Sequence, residues 1–204
     1  MNCSKCGFFN EEGEIIIPII YDKVLDYRNG FAPICIVKDD ICKEFSCEYA
    51  IKKEFWGVVD KKGKVIAQPI YDKILQITEE YIVFIKDFVC GVVELSTSNE
   101  ILYPQYDSIK ILDNGMWSAC IKENNECKWA VISQLGNVTP FKYSYIFNSD
   151  NHLTMVVENA VMSYSNGYIY GEWGYIDKNG NEIEPLVELD SPLSFEKYWK
   201  EKRQ

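Results

Sequence analysis

The stretch that decides the fold is Trp56-Gly57-Val58-Val59-Asp60-Lys61-Lys62-Gly63, because the same frame recurs along the chain. It returns at residues 6–13 and 173–180, and weaker copies start at Cys90 and Trp129. Self-similarity at a spacing of tens of residues is the signature of a repeat protein. The sequence therefore predicts repeat copies that start near residues 6, 56, 90, 129 and 173.

Each frame continues into an apolar segment, a proline, a Tyr-Asp pair and a closing apolar strand. The pairs are residues 21–22, 71–72 and 106–107, whereas Tyr143 precedes Ser144 and the fifth copy stops near Pro185. The predicted closing strands are residues 31–37, 81–85, 116–121 and 153–157. Asp60 to Gly63 reads as a tight turn with Gly63 at positive φ, a role that Asn99 takes in the third copy. Each copy is thus three or four short strands.

The predicted fold class is an all-β repeat array of short antiparallel strands and hairpins. An open solenoid-like stack is favoured over the alternative, a β-propeller, because the chain begins at the start of a unit and ends within one. The repeat domain spans residues 1–189, with insertions at 38–54 and 159–171. Residues 190–204 are predicted to form a capping helix or a tail, in which Ser191 is the N-cap and Phe195, Tyr198 and Trp199 share one face.

Composition and charge restrict the partners. The 204 residues are 47% hydrophobic, enough to fill a core. The net charge of -10 repels phosphate groups, so the sequence predicts no nucleic acid, no membrane and a neutral or basic protein partner. The best apolar run, residues 15–20, is too short to span a membrane, and no secretion signal is visible at the N-terminus, so a cytoplasmic location is expected.

The motif Trp-Gly-x-Ile/Val-Asp-Lys-x-Gly, followed by Pro and Tyr-Asp, resembles the bacterial WG repeat (KWG repeat) family. The resemblance covers about residues 6–189. The chain departs from the motif where Cys6 and Cys90 replace Trp, Ala130 replaces Gly and Ser144 replaces Asp. The resemblance implies a bacterial, β-rich, non-catalytic module that is often used for interactions. It brings no active site, so the motif residues carry over as structural ones.

Physical roles for those residues can be expected. Indoles at a fixed place would pack between neighbouring units, and the adjacent glycine would leave room for the ring. The Asp of Tyr-Asp would cap a turn by accepting hydrogen bonds from N–H groups two residues further on.

Eight cysteines raise the question of a metal site. Cys6 and Cys90 occupy the Trp place, and Cys35 and Cys120 share a place that other copies fill with Ile85 and Val156, so four of the eight read as packing residues. The sequence predicts no metal and no cofactor. The alternative is a zinc site, whose four ligands would be Cys3, Cys6, Cys42 and Cys47.

The second insertion is the better candidate for binding. Residues 162–170 read as a hairpin with an Asn-Gly tip, and Tyr164, Tyr168 and Tyr170 would share an exposed face. A hairpin that merely packs on a neighbour is an equal alternative. We find no catalytic set, and the single His152 reads as a strand residue. The predicted function is a non-enzymatic protein-interaction module; the alternatives are carbohydrate binding and an enzyme with its site in the insertions.

Overall fold

The computed structural model describes residues 5–44, 47–148, 153–165, 167–183 and 185–202. It shows antiparallel β-sheets followed by one short C-terminal helix, so the all-β prediction is confirmed. The chain divides into two compact units, residues 1–105 and 106–204. A single repeat domain over residues 1–189 stays a prediction.

The first unit contains three sheets. Strands β1 (Cys6–Phe9) and β2 (Ile15–Tyr21) form a two-stranded sheet. The next sheet has four strands in chain order, β3 (Lys23–Val24), β4 (Phe31–Glu44), β5 (Cys47–Asp60) and β6 (Val65–Tyr71). The third sheet also has four strands, β7 (Lys73–Ile77), β8 (Tyr81–Lys86), β9 (Val89–Glu94) and β10 (Glu100–Tyr106).

The second unit is one sheet with a helix. Its seven strands, again in chain order, are β11 (Ser108–Ile111), β12 (Trp117–Glu123), β13 (Glu126–Ile132), β14 (Tyr143–Asn148), β15 (Thr154–Met162), β16 (Ile169–Ile176) and β17 (Val187–Leu189). Helix α1 spans Pro192–Lys202. Strand pairing in this sheet is least extensive between β13 and β14, where the only pair in the ladder is Trp129 and Tyr143.

Consecutive copies share their sheets, which the sequence pattern did not predict. The closing strand of each copy pairs with the opening strand of the next, the strand that begins with the Trp-Gly frame. The register is the same at all four junctions, where the residue in the Gly place lies opposite Ile34, Phe84, Ala119 and Val156. Backbone hydrogen bonds thus interlock each copy with its successor.

The first insertion extends one of these junctions. Strands β4 and β5 are 14 residues each and stay paired from Phe31 and Asp60 as far as Glu44 and Cys47. Residues 38–54 therefore lengthen a hairpin that the repeat already contains.

The frame turns are built alike. In the second copy Asp60 N–H donates to the Lys64 carbonyl, Gly63 N–H donates to the Asp60 carbonyl, and Gly63 has φ +80°. The first, fourth and fifth copies repeat both bonds with a glycine at positive φ. In the third copy the left-handed residue is Ser98 (φ 60°), and the prediction of Asn99 was wrong because the turn there is one residue longer.

The aspartate of Tyr-Asp joins distant backbone. Asp22, Asp72 and Asp107 each accept the N–H of the residue 15 positions later at 2.7–2.8 Å, within two residues of the end of the closing strand that the sequence predicted. Ser144 likewise accepts the N–H of Ala160, 16 positions later, at 3.0 Å. The expected bond two residues on was wrong for this position. Asp60, inside the frame, makes it instead, with Lys62 N–H.

The tyrosines of the Tyr-Asp pairs are all buried, and two of them link copies. Tyr71 donates its hydroxyl hydrogen to Glu100 at 3.1 Å and Tyr143 donates to Glu182 at 2.8 Å. Burial, and then the neighbouring carboxylate, raises the pKa of both tyrosines. Each acceptor lies early in the following copy, just after its frame turn.

The indoles behave less uniformly than expected. Trp173 is fully buried against Phe195 of α1, and its Nε1–H donates to the Leu189 carbonyl at 3.2 Å. Trp56 and Trp129 are only half-buried, each with a lysine ammonium about 6 Å from the ring centre. Among these three indoles only Trp173 is fully buried, although Trp129 also packs against a buried cluster that includes Leu112 of the third copy and Ile176 of the fifth.

The glycine next to the indole makes room for backbone, which corrects the expected role. A Cβ at Gly57 would lie 2.5 Å from the Ala67 carbonyl oxygen, and one at Gly7 would lie 2.4 Å from that of Ile17. At Gly7 and Gly57 the space is thus taken by the backbone of the adjoining strand of the same copy, whereas a Cβ at Gly174 would meet the side chain of Leu186.

The predicted helix covers the last copy. Ser191 caps it by accepting the N–H of Ser194 at 3.2 Å. Phe195 and Trp199 are buried against Trp173 and Tyr175. The helix therefore closes a surface that would otherwise expose several aromatic rings.

Candidate functional site

The second insertion forms the predicted hairpin. Strands β15 and β16 remain paired to Met162 and Ile169. The loop beyond them closes where Ser163 N–H donates to the Tyr168 carbonyl at 2.8 Å, with Gly167 at φ +71°. Asn166, the other half of the predicted Asn-Gly tip, lies outside the described residues.

A β-bulge sets where the hairpin leaves the sheet. The register shifts between Glu158 and Val161, and Asn159 adopts φ 52°. Asn159 Nδ2 donates to Glu172 at 2.7 Å across the two strands. The N–H of the next residue, Ala160, donates a hydrogen bond to Ser144 Oγ. Bulges bend the strand that contains them, so this one fixes the direction of the extension.

The end of the hairpin exposes a group of apolar and aromatic side chains, which we call the tyrosine tip. Its members and their exposed fractions are Val161 (67%), Met162 (45%), Tyr164 (99%), Tyr168 (47%) and Tyr170 (42%). Tyr170 lies directly opposite Val161, so these two side chains share a face of the hairpin. Tyr164 lies in the turn itself. The structure thus brings the three predicted tyrosines to one exposed end.

A charged network lies at the base of the same sheet. Lys142 Nζ is 2.9 Å from a carboxylate oxygen of Glu158 and 2.8 Å from one of Glu182. Burial favours the neutral form of Glu182, but the hydrogen bonds from Lys142 and Tyr143 outweigh it and lower the pKa of that carboxyl. These groups satisfy one another, which indicates a structural link between the fourth and fifth copies.

A concave surface surrounds Trp56 in the first unit. The cavity has about 340 Å³ and is lined by Leu25, Pro33, Glu54, Trp56, Asp72, Lys73 and Ile74. Lys23 pairs with Glu54 and places its ammonium 6.0 Å from the centre of the indole. A sugar ring stacks on an open aromatic face, so this lysine argues against that use of Trp56.

The sequence left a zinc site as an alternative. Among the described residues no group of three or more His, Cys, Asp or Glu side chains is placed to hold a metal ion. Of the alternative zinc ligands, Cys3 and the side chains of Cys42 and Cys47 lie outside what the structure describes, as does His152. Cys6 is half-buried in the Trp place.

Sequence reasoning missed Val161 and Met162, which adjoin the tyrosines at the tip. The sequence carried no reliable signal for them, because a two-residue Asn-Gly turn would pair Ser163 with Tyr170, whereas the observed loop is longer and pairs Val161 with Tyr170.

Comparison with known proteins agrees with the geometry. Residues 7–36, 56–87 and 173–186 match the family model of the WG containing repeat, and no curated protein matches the chain. No helix in the described part of the chain has the length and apolar character needed to cross a membrane. The matched segments begin at or next to the residues in the Trp place of the first, second and fifth copies, where the shared turns and junctions also occur. The chain therefore contains segments that match the WG containing repeat in its first, second and fifth copies.

Proposed function

We propose that this protein is a non-enzymatic module that binds a protein partner through the tyrosine tip. The observation that carries the proposal is the exposure of three tyrosines, a valine and a methionine at the end of one hairpin. Exposed apolar patches of this kind mark interaction sites, and tyrosine provides contact area with little loss of side-chain entropy.

The hairpin is suited to this role because its base is fixed. The bulge at Asn159 and the Ser144 hydrogen bond anchor the two strands below the tip. A fixed base lowers the entropy lost when the tip is ordered against a partner.

The charge of the chain favours a basic partner. The net charge of -10 attracts cationic surfaces and steers their approach. A cytoplasmic location fits the cysteines, since the buried Cys35 and Cys120 and the exposed Cys127 are all thiols and not disulfides.

Capture from lysate of the native cells tests the proposal. The protein, the double variant Tyr168→Ala/Tyr170→Ala, and the matched control Tyr103→Ala, which removes an exposed tyrosine from strand β10, would be used as baits. We expect the wild type and the control to retain the same partner, the double variant to lose it, and high salt to weaken it. Equal capture by all three baits would refute the tip as the site.

Carbohydrate binding is the second candidate, since tyrosines on an exposed surface can also stack on sugars. It is favoured less because Lys23 and Lys110 lie near the faces of the two half-buried indoles. Binding on a glycan array that Tyr168→Ala/Tyr170→Ala abolishes would establish it in place of a protein partner. An enzyme with its site in the insertions is favoured least, because the second insertion is a hairpin with an apolar end.

A further inference from the structure

The fourth residue of the Trp-Gly frame is buried in every copy except the first. Its exposed fractions in the later copies are 0% for Val59, 1% for Val93, 0% for Ile132 and 0% for Ile176. Phe9 occupies the same place in the first copy and is 55% exposed. A large aromatic side chain therefore stands uncovered at a position that the repeat otherwise buries.

The preceding copy supplies the cover at the later positions. Val59 packs with Tyr21, Ala32 and Ile34, and Ala32 lies directly opposite it. Val93 packs with the corresponding residues of the second copy, Tyr71, Ile82 and Phe84. The cover is thus always a closing half, meaning a Tyr-Asp pair with the two strands that follow it.

The first copy lacks such a partner within the described residues. Strand β1 is paired in its sheet with β2 alone, whereas its equivalents β5 and β9 lie between two strands. Ile15 occupies the position in the first copy that Glu100 and Glu182 occupy in the third and fifth copies. Each glutamate accepts a hydrogen bond from the tyrosine of the preceding copy, whereas Ile15 is 57% exposed. A strand edge with no neighbouring strand in the described part of the chain, beside exposed apolar side chains, is a template for strand addition.

We propose that the outer edge of β1, together with Phe9 and Ile15, is a docking site for the closing half of a WG unit in another polypeptide. The incoming strand runs antiparallel to β1 and places a residue opposite Gly7, as Phe84 lies opposite Gly91. A second molecule of this protein is not the expected occupant, because all four of its closing halves are already paired with their own next copies. This site is separate from the tyrosine tip and does not depend on it.

A peptide probe tests the proposal directly. The probe is a fluorescently labelled peptide of residues 71–86, which is the closing half of the second copy and contains no cysteine. Added to the full chain, it should bind saturably, as measured by fluorescence anisotropy. It should also slow amide exchange of residues 6–9.

Matched variants locate the binding. Phe9→Asp should weaken binding of the peptide at least about tenfold, and a peptide that carries Ile82→Asp and Phe84→Asp should not bind. Phe88→Asp is the control, since Phe88 is 94% exposed in the turn that joins β8 and β9, outside strand β1, and its loss should leave the affinity for the peptide unchanged. Tyr168→Ala/Tyr170→Ala should also bind the peptide normally, which separates this site from the tyrosine tip.

Three results would overturn the proposal. The first is the absence of saturable binding at peptide concentrations up to about 1 mM, and the second is binding that Phe9→Asp leaves unchanged. The third is a dimer in light-scattering measurements that Phe9→Asp converts to monomer, since that result assigns the edge to a second molecule of this chain.

Discussion

Replacement of Gly57 by alanine would test how closely the strands of one copy approach each other. A Cβ at this position would lie 2.5 Å from the Ala67 carbonyl oxygen and 2.7 Å from the Pro69 nitrogen, whereas ordinary contact begins near 3.4 Å. Both atoms belong to the backbone, so no side-chain rotation relieves the clash. Strands β5 and β6 would have to separate by roughly 1 Å, a displacement of the kind that overpacked cores show.

The magnitude follows from two opposing effects. Alanine in a strand is ordinarily better than glycine by about 0.5–1 kcal/mol, because glycine loses more backbone entropy on folding. Overpacking costs about 1–3 kcal/mol. We therefore expect the free energy of unfolding to fall by about 1 kcal/mol, the difference between these two effects, measured by urea denaturation followed by circular dichroism.

The fourth copy provides the control. Ala130 already occupies the same place and is fully buried, so its surroundings accommodate a methyl group. Ala130→Gly should lower the free energy of unfolding by about 1 kcal/mol through entropy and lost burial. Stability at or above that of the wild type for Gly57→Ala would refute the argument from strand approach.

Three further substitutions test other links. Asp72→Ala should lower the free energy of unfolding by about 1–2 kcal/mol, because the variant loses the hydrogen bond from Asp87 N–H. Asp72→Ser should lower it much less, because Ser144 makes the equivalent bond in the fourth copy. Thermal denaturation measures both variants, and an equal loss of stability would contradict this role of the aspartate. The pKa of Glu182 is lowered in the folded protein, so its carboxylate stabilises the fold above the ordinary pKa of 4.5, and this stabilisation is lost as the pH falls through the lowered pKa. Between pH 7 and pH 3 the melting temperature of Glu182→Gln should therefore fall less than that of the wild type. Trp199→Ala should cost about 3 kcal/mol and the exposed control Lys200→Ala about 0.5 kcal/mol or less, and similar values would argue against helix packing.

The sequence predicted best what local chemistry determines. The turn at Asn29-Gly30 has both residues at positive φ, and Gly63 and Gly167 are left-handed as expected, because these conformations select glycine and asparagine. The helix was predictable for the same reason, since Ser191 and Pro192 are start signals. The predicted tyrosines reached one end of a hairpin because the turn lies between two strands of alternating pattern.

Prediction failed where a partner lies far away in the chain. The bond from Asp72 reaches a residue 15 positions later, which no local pattern indicates. The burial of Trp173 depends on α1, whereas Trp56 has no such cover among the residues of its unit that the structure describes. The pairing of each closing strand with the next copy is likewise set by non-local hydrogen bonds, and apolar periodicity shows only that strands exist.

Site-resolved amide hydrogen exchange tests most directly whether consecutive copies interlock through shared sheets. Residues 90–94 of β9 and 81–86 of β8 should exchange slowly and open together, because one cooperative sheet contains both. Residues 6–9 of β1 should exchange much faster, since that strand has a neighbour on one side. Slow exchange of residues 6–9 at the rate of 90–94, or opening of β9 independently of β8, would contradict the account.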